Sequence, residues 1–157
     1  MSVASALRGA LGLFALLTIW AGVVAPAAAS AQDWVRFENR WQPGQYINTE
    51  HGLASGAIQP GWHSAQWAIT QAEDGYVRIQ NRWEPSHYLH VENGRIESGP
   101  IQPGWHSAMW RLEPAEAGHV RIRNRWQSDQ ALHVERGGLE AGRVQPGWHS
   151  AMWRVRR

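Results

Sequence analysis

One unit recurs three times along this chain, and no other feature of the sequence restricts the fold as much. The copies run over 34–67, 76–110 and 119–153. With one gap, after Gly52 in the first copy, sixteen positions are identical in all three. They include Asn39/Asn81/Asn124, Arg40/Arg82/Arg125 and the run Gln-Pro-Gly-Trp-His-Ser-Ala. A repeat of this period means that each unit is one supersecondary piece, which buries its apolar face only by packing on its neighbours.

Within each unit the pattern is all-β. Val77-Arg78-Ile79-Gln80 alternates apolar and polar, as a half-buried strand does. His87 to Glu92 reads as a second strand and Arg95 to Gln102 as a third, joined by Asn93-Gly94, a pair suited to a tight hairpin. Pro103-Gly104 suits the centre of a type II turn, with the glycine at positive φ. Ala108 to Leu112 completes the four, and its Trp110, like Trp67 and Trp153, reads as a core residue that ends a strand. Val35/Val77/Val120 and Phe37/Ile79/Ile122 face inward by the same period. Propellers take four to eight blades of this size, and this chain has three. Three units closing one barrel remove the exposed edges of isolated sheets. The expected fold is a β-trefoil: three four-stranded repeats with pseudo-three-fold symmetry. A propeller assembled from two chains is the alternative.

Composition narrows the chemistry. There is no Cys, which excludes disulfides, zinc–thiolate sites and a cysteine nucleophile. There is no Lys either, so Schiff-base chemistry and a Walker-type phosphate loop are ruled out. A net charge of only +2 argues against nucleic acid as partner. Residues 1–31 read as a secretory signal peptide: Arg8, an apolar run from Ala10 to Val24, a break at Pro26, and the small-x-small tail Ala29-Ser30-Ala31, with Ala27-Ala28-Ala29 as the alternative. The run is too short to span a bilayer. The mature protein is expected to begin at Gln32, as one domain over 32–157, secreted or periplasmic, with no membrane insertion after signal removal.

The aromatic opening strand, the Tyr88-Leu89-His90-Val91 segment, Asn93-Gly94 and the closing Trp110 together resemble the ricin-B-type lectin superfamily of β-trefoils. They also have some similarity to fascin-like trefoils. Where ricin-type repeats close with Gln-x-Trp, this chain has Ala65, Ala108 and Ala151. The resemblance implies a glycan groove made by the second strand, the end of the third, and an aromatic platform. The matching second-strand positions are Asn48, His90 and His133, with Tyr88 beside them in the second unit. Gln59, Gln102 and Gln145 follow, and then the platforms Trp62, Trp105 and Trp148. The acidic residue of ricin-type sites is missing from all three units. Glu50, Glu92 and Glu135, two residues further on, are placed to take its role.

Two readings of Trp62, Trp105 and Trp148 stand side by side. In a Pro-Gly turn they are exposed indole faces that suit a sugar ring, or they fold over the hairpin and cap the core. Arg40, Arg82 and Arg125 are expected to stack on the indoles that follow them, Trp41, Trp83 and Trp126, either gripping an anionic glycan or bracing the loop. Arg36, Arg78 and Arg121 point off the barrel as a solvated ring. No catalytic constellation, cofactor or metal site is expected. The leading expectation is a lectin-like module with up to three weak glycan sites, the strongest in the second unit. A structural or protein-interaction trefoil of the envelope is the alternative, and an inhibitor a third.

Overall fold

The computed structural model describes residues 32–157; the expected signal peptide lies outside them. Twelve strands form among the described residues. The first repeat supplies β1 (Trp34–Asn39), β2 (Tyr46–Asn48), β3 (Ala54–Gly56) and β4 (Trp67–Gln71). The second supplies β5 (Val77–Asn81), β6 (Tyr88–Glu92), β7 (Arg95–Gly99) and β8 (Trp110–Pro114). The third supplies β9 (Val120–Asn124), β10 (Gln130–His133), β11 (Glu140–Arg143) and β12 (Trp153–Arg156).

The first and fourth strands of the repeats pair in a closed ring, β1-β4-β5-β8-β9-β12 and back to β1, antiparallel throughout. The second and third strands form three hairpins, each joined to the ring through its first strand. Six barrel strands with three hairpins make a β-trefoil, as the repeat count requires. Closure leaves no exposed edge on the ring itself.

Strand alternation sets the core. Val35 and Phe37 on β1, and Val77 and Ile79 on β5, are buried, with half-buried residues between them. Trp67, Trp110 and Trp153 are wholly enclosed. Each indole N–H donates to a backbone carbonyl of the second strand of its own repeat: Ile47, Leu89 and Leu132, at 3.0, 2.8 and 3.0 Å. One side chain thus fills the barrel and fastens the hairpin to it, with its polar atom satisfied. These tryptophans begin the fourth strands rather than end them, because the preceding His-Ser-Ala is a single 3-10 turn in each repeat.

Three local expectations need correction. The second strand of the middle repeat starts at Tyr88 rather than His87, and the third ends at Gly99 rather than Gln102. Asn93 and Gly94 both take positive φ (49° and 74°), which is the hairpin turn expected there. Gly61, Gly104 and Gly147 do not. The Pro-Gly turn closes by Trp105 N–H bonding Gln102 C=O at 3.1 Å and runs straight into the 3-10 turn, so a left-handed glycine has no place in it. Nor are Arg36, Arg78 and Arg121 a free solvated ring. Arg36 donates to Pro60 C=O at 2.6 Å, and Arg78 and Arg121 donate to Pro103 and Pro146. Each guanidinium holds down the Pro-Gly-Trp turn of its own repeat.

Candidate functional site

Trp62, Trp105 and Trp148 resolve between the two readings made of them: they are half-buried, neither core nor free. An imidazole stands edge-on to each indole. His90 meets Trp105 with ring centroids 5.8 Å apart, and His133 meets Trp148 at 5.9 Å. In the first repeat Asn48 replaces that histidine, and His51, from the hairpin loop, supplies the edge at 6.3 Å. Each indole therefore keeps part of its surface open while an imidazole packs against it.

The second-strand residues Asn48, His90 and His133 are themselves buried. Asn48 bonds its own hairpin, donating to Tyr46 C=O and accepting from Glu50 N–H. His133 Nδ1 accepts from Glu135 N–H at 3.3 Å, which puts the ring proton on Nε2. His90 Nδ1 has no partner among the described residues. Burial pushes both imidazoles below their ordinary pKa by disfavouring the charged form, against the pull of Glu97 and Glu92 on His90 and of Glu140 and Glu135 on His133.

The three glutamates differ. Glu50 accepts a hydrogen bond from Ser64 Oγ, and Glu135 accepts one from Ser150 Oγ, tying the second strand's end to the 3-10 turn. Glu92 makes no such bond among the described residues. Gln59, Gln102 and Gln145 take part through the backbone, each carbonyl closing its turn, while their side chains are exposed. Tyr88, half-buried, lies opposite Gly99 in the ladder.

Two openings gather these groups. The larger, about 990 Å³, belongs to the third repeat and is lined by His133, Glu135 and Trp148. Arg136 and Arg143 of the same hairpin share it with Arg95 from the tip of the neighbouring hairpin. The smaller, about 400 Å³, brings Glu92 and Trp105 together with His106, Ser107 and Trp126. Asn48, Gln59, Trp62, Tyr88, His90, Gln102 and Gln145 line neither opening.

Trp126 was missed as a site residue. With Trp41 and Trp83 it is one of three large apolar side chains more than half exposed among the described residues, at 51–55%. Strand alternation places these indoles on the buried face with Asn39, Asn81 and Asn124. The strands stop at those asparagines, however, and Asn39 Oδ1 accepts from Trp41 and Gln42 N–H, turning the chain outward. The expected stacking of Arg40, Arg82 and Arg125 on these indoles does not occur. Arg125 lies over Tyr76, 4.8 Å from its centroid, and pairs with Glu73 and Asp74. Arg82 lies over Trp34, and Arg40 pairs with Glu116. These arginines bridge neighbouring repeats.

No family model matches the sequence, and no curated protein matches it. Solved structures do. The chain is 28% identical, with a TM-score of 0.70, to the GlcNAcα1-4Gal releasing endo-β-galactosidase from Clostridium perfringens, over 78% of this chain and 32% of that one. It thus spans about a third of that enzyme's length. The designed 3-fold symmetric protein ThreeFoil matches with a TM-score of 0.70 and 19% identity, over 79% of this chain and 98% of its own. SeviL, solved bound to asialo-GM1 saccharide, matches with a TM-score of 0.65 and 18% identity, over 80% of this chain and 97% of its own. By its barrel, its three hairpins and this likeness, the chain has the β-trefoil fold.

Proposed function

We propose that this protein is a secreted or periplasmic carbohydrate-binding module without catalysis of its own. The observation that carries the reading is the third-repeat cleft, where a half-buried indole, a neutral imidazole and a carboxylate meet arginines from two hairpins. A sugar ring offers a C–H face to an indole and hydroxyls to the polar groups around it. The cleft's volume lies within the ~300–1,000 Å³ of ordinary small-molecule sites. The likeness to a galactosidase and to a saccharide-bound protein supports the same class of ligand. Glu50 and Glu135 are committed to turn serines, which suits a rigid binding surface better than acid–base chemistry. Shallow sites on separate repeats gain strength when one branched or clustered glycan reaches two of them.

The test is a glycan array with the purified chain, followed by calorimetric titration of the retained glycan into Trp148→Ala and Trp105→Ala. Binding by the parent and its loss in at least one folded variant are expected. An array with no retained glycan, or unchanged affinity in both variants, overturns the proposal. A second reading, docking to a protein of the envelope, is favoured by the three exposed indoles Trp41, Trp83 and Trp126. It predicts that an empty array is accompanied by loss of partner binding when these three are replaced.

A further inference from the structure

We infer that a neutral sugar ring binds at the junction of the second and third repeats, against Trp105 and Trp126, held by Glu92 and Ser107. This rests on the carbohydrate-binding reading and extends it to a site built from two repeats.

The starting point is a break in the three-fold symmetry. In the first and third repeats the 3-10 turn is fastened to the second strand's end by two bonds. Ser64 and Ser150 donate their hydroxyls to Glu50 and Glu135, and their carbonyls accept the N–H groups of Thr49 and Val134 at 3.1 and 3.2 Å. The hydroxyl bond has no counterpart in the middle repeat: among the described residues Ser107 Oγ and the Glu92 carboxylate make no bond to each other. The cause is in the hairpin. β2 and β10 stop at Asn48 and His133, two residues short of their glutamates, whereas β6 runs on to Glu92, which pairs with Arg95 around the Asn93-Gly94 turn. The ladder holds Glu92 there, so its carboxylate is not drawn down onto Ser107.

The space left open is the 400 Å³ pocket, and its far wall comes from the next repeat. Asn124 Nδ2 donates to Ser107 C=O at 2.8 Å, and Arg125 N–H donates to Met109 C=O at 2.9 Å. These bonds fix the backbone on which Trp126 stands, so an indole that is more than half exposed is nonetheless pre-positioned. Pre-positioning removes ordering cost from binding.

The chemistry of the walls selects the ligand class. Two indoles offer flat apolar faces. A carboxylate without a protein partner accepts from two hydroxyls, and Ser107 both donates and accepts. A pyranose uses all of these. An organic cation would use the indoles and the carboxylate and leave the serine hydroxyl idle. In the other two repeats the serine hydroxyl is already donated to the carboxylate, so the middle repeat differs in keeping both groups open to a ligand.

The test follows the indole N–H signals by NMR while the chain is titrated with the methyl glycosides of glucose, galactose, mannose, N-acetylglucosamine and N-acetylgalactosamine at tens of millimolar. At least one glycoside is expected to shift the Trp105 and Trp126 signals. Trp126→Ala and Glu92→Gln, both surface changes that leave the core untouched, should abolish the Trp105 response. Trp83→Ala should leave it intact. Shifts of the Trp148 signal without any at Trp126 overturn this inference and leave the carbohydrate reading standing. No response at any tryptophan, with an empty glycan array, overturns both. Shifts at Trp126 with tetramethylammonium but with no glycoside assign the pocket to a cation and overturn the sugar.

Discussion

The imidazole of His133 fills the space that a side chain at position 142 would need: a Cβ there would stand 2.7 Å from its Nε2. A milder form holds at 3.3 Å between Gly99 and His90, whereas Gly56 meets the amide of Asn48 at 3.5 Å, an ordinary contact. None of the three glycines has positive φ, so backbone freedom does not explain them; lack of space does at Gly142 and Gly99, and not at Gly56. Gly142→Ala must push a buried ring against Trp148, and a cost of about 1–3 kcal/mol is expected for such overpacking. Gly56→Ala should fall within about 0.5 kcal/mol of neutral, because its neighbour is at ordinary contact distance and alanine restricts the unfolded chain. Urea denaturation of the two variants decides it; equal effects would mean that the contact with His133 does not explain the glycine.

Asn81 joins two repeats through one side chain. Its Nδ2 donates to Ser64 C=O at 3.0 Å, and its Oδ1 accepts from the N–H groups of Trp83 and Glu84. All three bonds are lost in Asn81→Ala, with the partner groups left where water reaches them poorly. A loss of about 1–3 kcal/mol is expected. Asn81→Asp keeps the acceptor but sets an anion against the Ser64 carbonyl, and should cost at least as much. Thermal melts test the order; an Asp variant as stable as the parent would show that the amide donor is not needed.

Trp110 and Trp126 are the same residue type with opposite duties. Trp110→Ala removes a wholly enclosed indole and strands Leu89 C=O, so a loss of about 3–5 kcal/mol is expected. Trp126→Ala removes an exposed ring and should cost less than about 0.5 kcal/mol. Chemical denaturation separates the two. A small loss for Trp110→Ala would mean that the barrel is filled without it.

The sequence showed the barrel because its signals are local and repeated. Period-two runs placed Phe37 and Ile79 inside, and Asn93-Gly94 marked its hairpin. Partners contributed by another repeat were not legible. Arg125 finds Glu73 and Asp74 on the far side of a whole unit, where the adjacent Trp126 looked like the natural partner. Trp126 itself was read only as a stacking partner for Arg125, since nothing in the local sequence shows that Arg125 is drawn away to Tyr76, Glu73 and Asp74. Glu92 looked equivalent to Glu50 and Glu135, since nothing in their spacing tells which hairpin holds its ladder two residues longer.

The two buried imidazoles make stability depend on acid. In the unfolded chain His90 and His133 titrate near the ordinary value of about 6.5, and burial lowers both in the folded protein. Between the folded and unfolded values the unfolded state holds more protons, so stability rises with pH in that window. The contribution is complete above about pH 6.5 and is lost as pH falls through the folded values. The melting temperature should therefore drop between about pH 7.5 and about pH 5. Asparagine fits this place, since Asn48 already holds it in the first repeat under Gly56. The double variant His90→Asn, His133→Asn should melt with a flatter dependence over the same range. Parallel curves for parent and double variant would assign the acid sensitivity to other groups and remove these imidazoles from the account.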